Sequence, residues 1–146
     1  MATAYTASGV SSGVQPRTSI PGLICEVTTY TLTANPVVND TIDMFVLPAN
    51  SRLIDVILDV DAMDTTDSVV LAAGTSATPT LFIASATIGR SNTGGIQHAN
   101  QKGTVNYTST TDQHIVVKFT TAPTGLNSTN SLRLAVIYTM SANSNS

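Results

Sequence analysis

The sequence predicts an all-β fold, a jelly-roll-like β-sandwich of about eight strands with an extended N-terminal arm. Three observations support it. Charged residues make up only 10% of the 146-residue chain, against about 25% in a typical domain. Threonine, whose β-branched side chain favours a pleated surface, is roughly one residue in six. Apolar residues alternate with polar ones in short runs that turn-forming residues separate, and no helical period is present.

The predicted arm is residues 1–21 (MATAYTASGVSSGVQPRTSIP), whose Ala, Ser, Thr and Gly residues offer little apolar surface to bury. Two interpretations stay open: a disordered tail, or an arm that orders on a partner or a neighbouring subunit. Tyr5 and Arg17, the latter the only charged residue of the segment, are candidate partner-binding residues.

The predicted β-sandwich domain spans residues 22–140, and a polar tail, residues 141–146, follows it. Turn-forming residues such as Asn35-Pro36 separate its strands. The polar segment 85–103 is predicted to be a long loop. The eight predicted strands cover residues 24–32, 41–47, 52–61, 68–73, 80–84, 102–107, 113–120 and 131–139.

Alternation with a period of two assigns side chains to the two faces of the clearest strands. We expect an inward orientation for Ile54, Val56, Leu58 and Val60 of the third strand, Ile115, Val117 and Phe119 of the seventh, and Leu132, Leu134, Val136 and Tyr138 of the eighth. We expect an outward orientation for Leu53, Asp55, Ile57 and Asp59 of the third strand, and for His114, Val116 and Lys118 of the seventh. An immunoglobulin-like sandwich is the alternative fold, but its core tryptophan is missing, because the chain has no Trp.

Charge and composition argue against several classes of function. The net charge is −3 and the six basic residues are scattered, so binding of nucleic acid through its phosphates is not expected. The N-terminus lacks the pattern of a signal peptide, and no apolar run approaches the roughly 20 residues that cross a membrane. We therefore expect synthesis in a cytoplasm and no membrane contact. Cys25 is the only cysteine, which excludes a disulfide within the chain.

The densest acidic stretch contains five aspartates, which raises the hypothesis of a calcium site. They are Asp55, Asp59, Asp61, Asp64 and Asp67. Their spacing lacks the glycine and terminal glutamate of an EF-hand loop, so a solvated strand face that runs into a turn is the better interpretation. A catalytic base needs a nucleophile or a second polar partner held close, and the chain offers few such partners, so His98 and His114 are interpreted as surface residues.

The glycine-rich loop at residues 89–95 lacks the Gly-Lys-Ser/Thr ending of a phosphate-binding loop. Within it, Arg90 is a candidate partner-binding residue, because arginine is favoured at interfaces. Asn92, in the same loop, is a further candidate. No serine-hydrolase elbow and no zinc-protease motif is present. The sequence therefore predicts a protein without catalytic activity and without a cofactor or metal.

Several segments together resemble the head decoration (capsid cement) proteins of tailed bacteriophages. They are residues 42–58 (IDMFVLPANSRLIDVIL), 59–65 (DVDAMDT), 82–84 (FIA), 89–92 (GRSN) and 132–138 (LRLAVIY). The resemblance runs from about residue 31 to residue 139 and does not include the arm. It is a pattern of spacings and strand edges rather than a catalytic signature, and it transfers no individual contact residue.

The resemblance implies a structural virion protein on the outer surface of the capsid. Such a protein would bind the major capsid protein at capsomer junctions, as a homotrimer, and would brace the shell. The alternative is a phage tail or fibre component, either a tube subunit or a receptor- or glycan-binding module. An aromatic fraction of 5% with no Trp argues against glycan binding.

Overall fold

A computed structural model describes residues 2–6, 22–90, 94–125 and 130–140. These residues form nine β-strands and contain no helix, so no described helix is available to cross a membrane. The predicted all-β class is confirmed. The strands are β1 (Ala4–Thr6), β2 (Leu23–Thr31), β3 (Thr41–Leu47), β4 (Ser51–Val60), β5 (Val70–Thr75), β6 (Ile83–Ala86), β7 (Gly95–His98), β8 (Gln113–Thr121) and β9 (Ser131–Met140).

The strands pair in a nested antiparallel pattern: β5 with β6, β4 with β7, β3 with β8, and β2 with β9. They form two sheets, sheet A in the order β1-β3-β8-β5-β6 and sheet B in the order β2-β9-β4-β7. This pattern is one long antiparallel hairpin rolled into two four-stranded layers, which is the jelly roll. The predicted β-sandwich is therefore confirmed.

Strand β1 adds a fifth strand to sheet A, parallel to β3, with Ala4 opposite Thr41 and Thr6 opposite Asp43. The first residues of the predicted arm are thus extended along the sandwich. Residues 7–21 and the tail 141–146 lie outside the described residues. The division into arm, domain and tail stays a prediction.

The core lies between the two sheets, where their inward-facing side chains meet. The predicted inward faces of β8 and β9 are confirmed, because each of their assigned residues is fully buried. Burying a large apolar side chain contributes about 1.5–3 kcal/mol, so this layer is the main source of stability. Twelve of its largest buried side chains are Tyr138, Phe82, Phe119, Ile42, Met44, Leu47, Leu53, Leu58, Met63, Leu71, Ile83 and Ile115.

The predicted face of β4 is wrong at its beginning. Leu53 is fully buried, together with Val56 and Leu58, whereas Ile54 is only half-buried. The cause is a β-bulge between Leu53 and Asp55, where Ile54 has no opposite residue in β9. A bulge inserts one extra residue, which shifts the alternation by one position.

Two other predictions about the chain between β6 and β8 are wrong. Residues 102–107 form turns rather than a strand, because Gly103 and Asn106 have positive φ angles of 93° and 73°. The long loop predicted at 85–103 contains β7, which pairs with β4. Strand β7 has only four residues and begins with a glycine that follows another glycine, so alternation gives it almost no signal.

Val116, predicted to face solvent, is only 5% exposed. It does lie on the outer face of sheet A, opposite Gly74 of β5. The turn after β5 lies over this part of the face, because a Cβ atom on Gly74 would be 2.2 Å from the carbonyl oxygen of Thr78. A covering turn of this kind cannot be read from strand alternation alone.

Candidate partner-binding surfaces

Tyr5 is held against its own domain by the buried Asp40 carboxylate. The Tyr5 hydroxyl lies 3.4 Å from Asp40 Oδ2, which also accepts the Val37 amide at 2.9 Å. Asp40 Oδ1 accepts the amide of Thr3. The Tyr5 ring lies 5.9 Å from the ring of Tyr30. Burial and the neighbouring Asp40 raise the pKa of Tyr5. Whether Tyr5 also contacts a partner stays a prediction.

The turn between β4 and β5 is built around Asp64, whose side chain is fully buried. Its carboxylate accepts the backbone amides of Thr66 at 3.0 Å, Ser68 at 2.8 Å, Val69 at 2.7 Å and Gly125 at 3.2 Å. It also accepts the hydroxyls of Thr66 and Ser68. Burial alone would raise the pKa of Asp64, but the hydrogen bonds from Ser68 and Thr66 outweigh it and hold that pKa well below its usual range.

Arg90 is half-buried beside this turn. Its Nε donates to the carbonyl oxygen of Val69 at 2.9 Å, and its backbone forms a parallel bridge with Asp64. The guanidinium group therefore ties the 85–90 segment to the turn, and its role in partner binding stays a prediction. The other two candidates, Arg17 and Asn92, lie outside the described residues.

Three of the remaining carboxylates of the acidic stretch pair with an arginine or a histidine side chain. Asp59 and Asp61 both pair with Arg133, at 3.0 Å and 2.8 Å, and Asp55 pairs with Nδ1 of His98 at 2.8 Å. Hydrogen bonds from Arg133 lower the pKa of Asp61, and those to Asp59 and Asp61 raise the pKa of Arg133. Among the described residues, no three acidic, histidine or cysteine side chains form a metal-binding group.

Sequence reasoning missed both histidine–aspartate pairs. His98 on β7 meets Asp55 on β4, and His114 on β8 meets Asp43 on β3. The partners are 43 and 71 residues apart in the chain, so only the sheet order brings them together. Knowledge of the jelly-roll pairing would have placed them on adjacent strands.

The outer face of sheet B carries a continuous set of apolar side chains across β2, β9 and β4, which we call the apolar face. Strand register places Cys25 opposite Ile137, Val27 opposite Ala135, and Ala135 opposite Ile57. Leu23 and Val27 are 67% and 61% exposed, and Cys25 is exposed as well. The apolar face consists of Leu23, Cys25, Val27, Ala135, Ile137 and Ile57.

A polar groove of about 440 Å³ adjoins one end of the apolar face. Its lining includes Asn50, Arg52, Ser109 and Thr139. Thr139 lies opposite Leu23, so the groove and the apolar face share a boundary. Hydroxyl, amide and guanidinium groups provide hydrogen-bond donors and acceptors there, but no nucleophile–base pair.

No known protein-family model matches the chain, and no curated protein matches it. Solved structures do share its fold. A chain in the capsid of Ralstonia phage GP4 is 20% identical, with a TM-score of 0.78 over 95% of this chain and 99% of that chain. A chain in the cyanophage Pam1 capsid asymmetric unit is 18% identical, with a TM-score of 0.76 over 88% of this chain and 91% of that chain.

A chain in the acidic stable capsid structure of Helicobacter pylori bacteriophage KHP30 is 16% identical, with a TM-score of 0.54 over 83% of this chain and 94% of that chain. At these identities the likeness establishes a shared fold. The chain thus has the fold of β-sandwich proteins found in three phage capsid structures.

Proposed function

We propose that the chain is a non-enzymatic structural protein of a bacteriophage virion. It decorates and stabilises the capsid from the outside, as a homotrimer that binds the major capsid protein at capsomer junctions. The observation that carries the proposal is the near-complete overlap with a capsid chain of Ralstonia phage GP4, in which 95% of this chain matches 99% of that one. The resemblance of residues 42–58 and 132–138 to decoration proteins supports the same role.

The surface chemistry supports this role. A protein that lies against other protein benefits from low charge, because each buried charge carries a desolvation cost. Only 10% of this chain is charged, and sheet B presents the exposed apolar side chains of Leu23, Val27 and Ile96 to solvent. Each contact would be modest, but several subunits acting together can raise the overall affinity by orders of magnitude.

The acidic groups support a structural rather than a catalytic role. Asp64 and Asp40 accept hydrogen bonds that hold a turn and a strand in place. Asp59 and Asp61 share Arg133. A general acid or base needs a carboxyl oxygen free to exchange a proton with a substrate, and these carboxylates use their oxygens within the fold.

The polar groove beside the apolar face favours one alternative, a receptor- or glycan-binding module of a tail or fibre. Sugar sites commonly stack the ring on an aromatic side chain. The groove has Met140 and no aromatic residue in its lining, so decoration is the better supported proposal.

The test is the mass of the purified protein in solution by light scattering, followed by sedimentation with undecorated capsids. We expect a trimer that co-sediments at a fixed ratio to the shell protein. A monomer, or an oligomer that stays in the supernatant, would contradict the proposal. Binding to a glycan array without binding to capsids would instead favour the receptor-binding alternative.

A further inference from the structure

We infer that the apolar face of sheet B, with its edge strand β2, is the surface through which one copy of this chain contacts the next. The inference rests on the proposed function for the existence of an oligomer, and it adds the location of the interface. It assigns Leu23, Cys25 and Val27 to the contact between copies.

The edges of the sheets point to β2. Three of the four edge strands are short: β1 has three residues, and β6 and β7 have four each. Short edge strands are one way in which proteins avoid unwanted strand pairing. Strand β2 has nine residues and, within the described part of the chain, pairs only with β9.

Strand β2 carries only one of the charges that can protect an open edge, and none on its outer side. Its single charged residue, Glu26, lies opposite the inward-facing Val136, so it is on the inner side of the sheet. Its outer side presents Leu23, Cys25 and Val27 to solvent. A long edge strand with exposed apolar side chains on its outer side is a ready surface for contact with another chain.

The charges around the apolar face favour a second copy as the occupant. Arg133 is neutralised by Asp59 and Asp61 on its own chain, and Asp55 is paired with His98. These charged groups are already held by partners on their own chain, so they are less available for recognising a different protein. Interfaces between identical subunits are more apolar than those between separately stable partners, which fits this composition.

The ends of the described chain favour the same occupant. Leu23 lies opposite Thr139, so Gly22 and Met140 lie at the same end of sheet B. The segment that precedes Gly22 and the segment that follows Met140 therefore join the fold beside the apolar face, and a second copy on this face would lie next to both points.

Cys25 provides a native probe for the test, since it is the only cysteine and lies within the apolar face. We would measure its rate of alkylation by iodoacetamide with intact-mass spectrometry, and the molecular mass by light scattering, without capsids. The variant Val27→Asp has a matched control in Val105→Asp, because the two valines are 61% and 62% exposed. Leu23→Asp serves as a second variant if Val27→Asp does not fold.

In the native oligomer and in Val105→Asp, we expect Cys25 to react about tenfold more slowly than in Val27→Asp. We expect Val27→Asp to be monomeric at concentrations where the native protein is an oligomer, with association weakened by about 100-fold, because it places an unpaired carboxylate in an apolar contact. A native oligomer with a fully reactive Cys25, or a folded Val27→Asp or Leu23→Asp of unchanged mass, would overturn the inference.

Protection of Cys25 only after capsids are added would also overturn it, since the face would then belong to the shell. An oligomer in which Cys25 is protected but which does not bind capsids would contradict the proposed function and would still support the inferred interface between copies. The two failures are therefore distinguishable.

Discussion

A valine on the outer face of sheet A and a valine on the outer face of sheet B differ greatly in solvent exposure. Val116 on sheet A and Val27 on sheet B both point away from the core, yet they are 5% and 61% exposed. The difference is the turn after β5, which approaches Gly74 opposite Val116 and covers that face. Sheet B has no such cover among its described neighbours. The exposure of an outward side chain is therefore set by what lies above the sheet.

The edges of the two sheets show the same contrast. Strand β3 of sheet A is covered by β1, which Asp40 holds through the amide of Thr3 and the hydroxyl of Tyr5. Strand β2 of sheet B pairs with no described strand on its second edge. The β3 edge of sheet A is thus covered by its own chain, whereas the β2 edge of sheet B has no second partner strand among the described residues.

The largest effect is expected from the substitution Gly74→Ala on the covered face. The new Cβ atom would lie 2.2 Å from Thr78 O and 2.6 Å from Leu81 N, and neither backbone atom can give way easily. We expect a loss of about 3 kcal/mol in the free energy of unfolding, measured by urea denaturation. The control is Gly22→Ala, where no heavy atom lies within 4 Å. Equal stability of the two variants would show that the turn does not press on sheet A.

The second effect concerns Asp64, which fixes the turn that leads from sheet B to sheet A. The substitution Asp64→Asn replaces a carboxylate that accepts four backbone amides with a group that must itself donate, so we expect a loss of about 2 kcal/mol. The control is Asp59→Asn, whose side chain is 40% exposed, with an expected loss below about 1 kcal/mol. Equal losses in urea denaturation would contradict this account of the turn.

Low pH should destabilise the folded protein through the same carboxylate, that of Asp64. Because the pKa of Asp64 is lower in the folded state than its ordinary value of 3.8, its stabilisation is complete well above pH 3.8 and decreases as the pH falls toward the folded-state value. We expect the stability of Asp64→Asn to fall less steeply than that of the native protein below pH 4. Parallel pH profiles of the unfolding free energy would contradict the assignment.

A smaller effect is expected at the edge of sheet A. Asp40→Ala removes the acceptor that holds Thr3 and Tyr5, at a cost of about 1 kcal/mol. Hydrogen exchange should become faster in β1 while the amides of β8 and β9 stay protected. In the control, Asp112→Ala, which removes an exposed contact to the Ala49 amide, β1 should be unchanged. Unchanged protection of β1 in Asp40→Ala would mean that strand pairing alone holds it.

Alternation predicted the fold class and the inward faces of β8 and β9, because long strands with one buried face carry a strong periodic signal. It was wrong where a single residue changes the phase, as Ile54 does in β4. It was also wrong where the backbone turns at Gly103 and Asn106. Local signals do not report a bulge, since its position depends on the neighbouring strand.

The candidate surfaces were less predictable than the fold. Tyr5 and Arg90 were selected by residue type, and the structure shows bonds to their own domain. The apolar face was not predicted, because its members come from β2, β9 and β4 and become neighbours only through the sheet order. Alternation assigns residues to faces but does not say which strands lie side by side.

The smallest effect on the folded subunit is expected at Val27, which makes it the sharpest test of the contrast between the sheets. Val27→Ser alters a side chain that is 61% exposed, so the unfolding free energy of the isolated subunit should change by less than about 0.5 kcal/mol. Val116→Ser, at 5% exposure, should cost about 2 kcal/mol.

The dependence of Tm on protein concentration should further distinguish the variants Val27→Ser and Val116→Ser. If β2 contacts a second copy, the Tm of the native protein rises with protein concentration, because association stabilises the folded state. Val27→Ser should weaken this dependence while Val116→Ser keeps it at a lower Tm. A concentration-independent native Tm, or an unchanged dependence in Val27→Ser, would mean that the exposure of sheet B has no role in self-association. The contrast between the sheets would then reflect only where the covering turn lies.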